Sequence, residues 1–145
     1  KNPLYVGIDV RKDFLGIKPE PGAPPSAVRH ADITSRKFLR DDELNGKVDR
    51  FVVLNTLSDL PVGTRQMTKI VAKIGDALKA NGQAIIGEWQ TPHYADTILA
   101  VDCKKLGLKR EIVTTQPRAQ EILRRDLTDG RRPPVLRQGP AGARS

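Results

Sequence analysis

The chain has 145 residues, a net charge of +8 and a pI of about 9.9, with 38% apolar and 29% charged residues and a mean hydropathy of -0.44. That length suits one domain with a single hydrophobic core, and no apolar run approaches the roughly 20 residues that span a bilayer. The single cysteine, Cys103, excludes an internal disulfide framework, and with only His30 and His93 beside it no metal site is expected.

In chain order, Leu4 to Val10 is the first strand candidate, an oily run that ends in Gly-Ile-Asp at Asp9. The proline-rich stretch from Glu20 to Ser26 fits neither a helix nor a central strand, because proline lacks the donor and fixes φ. Ala27 to Ala31 is a short strand candidate leading to Asp32. Arg50 to Asn55 is a continuous apolar run, the kind expected of a strand covered on both faces. From Thr64 to Ala80 the apolar residues Met67, Ile70, Val71, Ile74 and Leu78 recur at helical spacing, with Lys69 and Lys73 off the stripe. Asn81-Gly82 then predicts a left-handed stop.

Gln83 to Trp89 predicts another strand, followed by an amphipathic helix from Tyr94 to Leu106 that Gly107 stops. Arg110 to Thr115 predicts a last strand. Alternation of buried strands and helices implies right-handed βαβ crossovers, hence an α/β fold with a mainly parallel sheet and flanking helices. In such sheets ligands sit beyond the carboxyl ends of the strands. Those ends hold Asp9, Asp32, Asn55 and Glu88.

The sequence divides into an α/β domain over 1–115 and a basic segment rich in Pro, Gly and Arg over 116–145. The latter holds seven arginines against three carboxylates, half of the net charge. It is expected to be a solvated terminus or a tail that faces RNA or a protein partner. A basic balance favours polyanions in general, because each neutralised phosphate releases counterions, and RNA is favoured over DNA. The N-terminus carries no apolar stretch with a small-residue cleavage site, so an intracellular, cytoplasmic protein without membrane contact is expected.

Four stretches, "YVGIDVRKDFL", "VRHADITSRKF", "GKVDRFVVLNTLSDLP" and "ALKANGQAIIGEW", resemble in order consecutive segments of the class I S-adenosylmethionine-dependent methyltransferases. "LGLKREIVTT" resembles the segment that leads into that family's sixth strand, so the likeness runs from Leu4 to about Thr115. The resemblance implies a Rossmann-like fold with S-adenosylmethionine as cofactor. It places Asp9 on the ribose hydroxyls, with Val10 lining the adenosine. Asp32 and Ile33 fall where the adenine is held, and Asn55 falls near the methyl group. Glu88, His93 and Tyr94, clustered after the fifth strand, are the candidates for a base or substrate contact, His93 as a general base because a histidine titrates near neutrality. The neighbouring Trp89 is a stacking or a packing residue, and Cys103 a packing one.

Two departures qualify the resemblance. The family's first strand and glycine-rich loop stand about 20 residues before the ribose-binding acid, whereas this sequence opens directly on the second strand, which implies an N-terminally incomplete site. "NTLSD" also lacks the Asn/Asp-Pro-Pro-aromatic tetrapeptide of enzymes that methylate amino groups on DNA bases. Two other readings start from the same residues. "VGIDVRKDFL" also resembles the first strand of RNase H-like nucleases and transposases, in which Asp9 and Glu88 would bind catalytic divalent metals. The third reading is a non-catalytic, methyltransferase-like module for RNA binding or assembly.

Overall fold

The computed structural model describes residues 5–9, 21–22, 26–115 and 118–127. The chain forms two compact units, Lys1–Leu39 and Arg40–Ser145. Among the described residues no helix is long and apolar enough to cross a membrane.

In the first unit β1 (Tyr5–Asp9) and β2 (Ser26–His30) pair in parallel, in a register that runs from Tyr5 opposite Ser26 to Asp9 opposite His30. Both strands therefore end at the same carboxyl edge. A short helix, α1 (Arg36–Arg40), comes next. Its start is written locally: the Ser35 hydroxyl donates to the Asp32 carbonyl at 2.7 Å and accepts the Phe38 amide at 3.1 Å, as an N-capping serine does.

The second unit is built on a four-stranded sheet of β3 (Val48–Leu54), β4 (Leu78–Trp89), β5 (Leu108–Thr115) and β6 (Arg118–Arg125), in the order β3-β4-β6-β5. β3 and β4 are parallel, and β6 runs antiparallel to both β4 and β5. The expectation of a mainly parallel sheet is thus corrected to a mixed one. The missed element is β6, whose sequence reads as part of a basic tail. Its inward positions are Glu121 and Leu123, both fully buried, so a carboxylate stands where period-two patterning looks for an apolar residue.

The helix α2 (Thr64–Ala77) carries the expected stripe, with Met67, Ile70, Val71 and Ile74 all buried. Lys73 is buried too, contrary to its place off the stripe; its ammonium group donates to the Asp41 carbonyl and, at 3.1 Å, to Asn45 Oδ1. Gly75 packs against the Leu108 side chain so closely that a Cβ there would lie 3.0 Å from it. The helix ends at Ala77, not Ala80, and passes straight into β4. Asn81-Gly82 is not a left-handed stop: here β4 sets the five steps from Leu78 to Gln83 against two of β3, Val48 to Arg50. A Cβ on Gly82 would stand 2.7 Å from the Val48 carbonyl oxygen, so the glycine serves a close strand approach.

The second predicted helix is also shorter. Only α3 (Pro92–Thr97) is helical, and the chain then turns through Gly107, whose φ is +68. The Arg110 guanidinium takes the carbonyls of Leu99 and Ile98, each at 3.0 Å, which a continuing helix would have used itself. Asp102 Oδ1 accepts the Lys105 amide at 3.2 Å and starts a separate turn. Ile98, Val101, Cys103 and Leu106 are still buried, as the apolar spacing predicts. The core lies on one face of the sheet, where Val53, Ala84, Ile86 and Leu123 are buried. On the other face Val52, Leu54 and Val113 are exposed.

Candidate functional site at the carboxyl ends of the strands

In the first unit, Asp9 closes β1 and Asp32 stands two residues beyond β2. Asp32 Oδ1 accepts both the Thr34 amide at 2.8 Å and the Thr34 hydroxyl at 2.6 Å. These bonds favour the ionised form and hold the carboxyl below its ordinary range, the hydroxyl contributing most. The side chain is exposed, and Oδ2 has no hydrogen-bond partner among the described residues. Asp32 is therefore a fixed, ionised carboxylate with acceptor capacity to spare. Ile33 is half-buried in the turn beside it. Val10 lies outside the described residues.

In the second unit the chain leaves β3 at Asn55, which adopts φ +49 and donates its amide to the Gly87 carbonyl at 2.8 Å. Asparagine tolerates this left-handed conformation better than most residues, and it reverses the chain directly at the strand end. Gly87 makes room: a Cβ there would meet Leu54 at 2.8 Å.

Glu88, fully buried on β4, anchors the loop beyond Asn55. Its Oε1 accepts the amides of Leu57 at 2.8 Å and Thr56 at 3.1 Å, and its Oε2 accepts the Ser58 hydroxyl at 2.6 Å. The carboxylate is committed to this turn of the chain, which forms a short 3-10 helix at Leu57–Asp59. As a base for a substrate it lacks access.

His93 lies in the first turn of α3. The Thr91 hydroxyl accepts the Tyr94 amide at 3.1 Å, Pro92 fixes the entry, and together they set the start of the helix. His93 Nε2 stands 3.0 Å from the Leu60 carbonyl oxygen. A carbonyl only accepts, so Nε2 carries the proton and Nδ1 is the basic nitrogen. That is a tautomer suited to take a proton from an acceptor group. The structure thus brings Asn55, Glu88 and His93 to one strand edge through a single loop. Trp89 ends β4 there, half-exposed.

Sequence reasoning missed a second buried carboxylate. Glu121 on β6 accepts the Tyr94 hydroxyl at 2.6 Å, and its Oε2 lies 3.4 Å from Arg110 Nε. The latter contact is an ion pair without hydrogen-bond alignment, since both atoms are buried and neither has a hydrogen-bond partner among the described residues. Burial pushes the Glu121 carboxyl up, with the Tyr94 hydroxyl and Arg110 working against it. Burial and the hydrogen bond to Glu121 also push the Tyr94 phenol well above its usual value. Residue type does not mark Glu121 as inward; its contacts with Tyr94 and Arg110 exist only once the β5–β6 hairpin has formed, and that hairpin is not visible in the patterning. Cys103 is buried with its thiol pushed up, as a packing residue should be.

No protein-family model matches the sequence, and no curated protein matches it. Solved structures do share its fold. The PH0226 protein from Pyrococcus horikoshii superposes with a TM-score of 0.56 at 10% identity, over 83% of this chain and 71% of its own. A candidate type 11 methyltransferase from Sulfolobus solfataricus gives 0.55 at 15% identity, over 88% and 73%. A TehB-like SAM-dependent methyltransferase from Corynebacterium glutamicum gives 0.57 at 18% identity, over 83% and 67%. The chain therefore has the Rossmann-like α/β fold of these solved structures.

Proposed function

We propose that the protein is an S-adenosylmethionine-dependent methyltransferase. The observation that carries this reading is the likeness of fold to solved methyltransferase structures over most of the chain. The first unit suits the cofactor: Asp9 and Asp32 stand at the carboxyl ends of adjacent parallel strands, and Asp32 keeps an unused carboxylate oxygen. Asp9 would take the ribose hydroxyls, with Val10 beside it, while Asp32 and Ile33 would hold the adenine. When bound, the cofactor supplies an electrophilic methyl group. The part of the second unit is to orient the acceptor and remove its proton, a role for His93 Nδ1, with Asn55 at the carboxyl edge of that unit's own sheet.

The acceptor is RNA or a small molecule; the net charge of +8 favours the polyanion. The nuclease reading loses ground. It needs Glu88 for metal, whereas the Glu88 carboxylate holds residues 56–58.

Calorimetric titration with S-adenosylmethionine and S-adenosylhomocysteine tests the reading. Saturable binding is expected, weakened roughly tenfold or more by Asp9→Ala and by Asp32→Ala. Absence of binding at millimolar ligand would overturn it. Transfer of labelled methyl groups to RNA, compared with transfer to small molecules, decides the acceptor class.

A further inference from the structure

Glu88 and Glu121 are both fully buried on the same face of the sheet, and their register makes them diagonal neighbours: Glu88 pairs with Ala119, and Glu121 with Ile86. An apolar residue would fill either position without the desolvation penalty of a carboxylate. What a carboxylate adds is direction, because each takes hold of a different segment at the strand edge. Glu88 holds Thr56, Leu57 and Ser58, and Glu121 holds Tyr94 of α3. The two segments are also tied to each other. His93 Nε2 donates to the Leu60 carbonyl at 3.0 Å, and the Thr64 hydroxyl donates to the Asp96 carbonyl at 2.7 Å. The bonds close a circuit from β4 through the loop and α3 to β6.

We propose that Glu88 and Glu121 are positioning residues that act through this circuit to fix His93 as its Nε2–H tautomer, with Nδ1 basic. Glu88 sets the loop that places the Leu60 carbonyl; Glu121 sets the helix that places the imidazole. The functional sense of the circuit rests on the methyltransferase reading, but its existence does not.

The test is therefore spectroscopic first. The chain has two histidines, so a His30→Gln variant leaves the His93 side-chain nitrogen signals alone in the spectrum. In that background the Nε2–H pattern is expected. Glu88→Ala should convert it to a mixture of tautomers and speed hydrogen exchange at the Thr56 and Leu57 amides at least tenfold. Glu88→Gln should restore both, since its amide oxygen still accepts the two amides. Ser58→Ala and Tyr94→Phe, which each remove one bond, should move the pattern in the same direction by less, and they decide the matter if Glu88→Ala fails to fold. An unchanged tautomer and unchanged exchange in the folded variants would overturn the proposal.

In methyl transfer, Glu88→Ala and Tyr94→Phe should lower kcat while leaving the KM for S-adenosylmethionine unchanged; equal loss in both would also overturn it. If the parent chain does not bind S-adenosylmethionine, the methyltransferase reading fails, and the nitrogen spectrum still decides the circuit.

Discussion

At the scale of single residues, two carboxylates are held in opposite ways. Asp32 is exposed, and the bonds from Thr34 lower its pKa below the ordinary 3.8. Its contribution to folding is present above that value and is lost as the pH falls through the folded pKa. Thr34→Ala should return the Asp32 carboxyl towards its ordinary titration, measured by carboxyl-carbon NMR. Glu121 behaves the other way. Burial raises its pKa above the ordinary 4.5, so its contribution is fully present below that value and is lost as the pH rises through the folded pKa. Urea midpoints recorded at rising pH, starting below 4.5, should show that loss in the parent chain and lack it in Glu121→Gln. The Tyr94 hydroxyl is the donor to this carboxylate, and a buried hydrogen bond to a charged group is worth about 1.5–3 kcal/mol. Tyr94→Phe should lower the unfolding free energy by about that amount.

At the scale of elements, alternation along β3 and β4 decides which substitutions matter. Ile86 is fully buried on the core face of the sheet, and truncation to alanine should cost about 2–5 kcal/mol, transfer and cavity terms together. Val52, on the neighbouring strand but on the open face, is 56% exposed, and Val52→Ala should stay within about 0.5 kcal/mol. Denaturation of the two variants side by side checks the assignment of the faces. The stripe of α2 was legible because Met67, Ile70, Val71 and Ile74 form one continuous face. The end of that helix was not, because Gly82 reads as a stop by type and serves as a close contact by place. The second helix was overestimated for a similar reason. Its apolar spacing persists into the core, but Arg110, 11 and 12 residues downstream, takes the carbonyls that would have continued it.

At the scale of the whole molecule, the order β3-β4-β6-β5 makes β6 an interior strand of the second unit, although it is the last in sequence among the described strands. A chain cut after Thr115 would leave β5 without its partner and β4 with an open edge. It should lose cooperative unfolding of the second unit, monitored by circular dichroism. Retention of a cooperative transition would instead support a domain complete at 115. The likeness of fold to solved structures at 10–18% identity has the same physical basis. Topology is kept by which faces are apolar and where strands end, and those properties survive almost complete replacement of individual residues.

The sequence alone determined the strand ends at Asp9 and Trp89, the end of β3 to within one residue of Asn55, the apolar stripe of α2 and the α/β class, because periodicity and turn chemistry are local. Tertiary structure decided the rest. Glu88, a candidate base by residue type, became the anchor of residues 56–58 because three donors meet its carboxylate in the interior. Glu121, part of a charged tail by composition, became a buried partner of Tyr94 and Arg110 because β6 inserts between two strands. A carboxylate reads the same in sequence whether it is solvated or enclosed; only the groups that the fold brings to it distinguish the two.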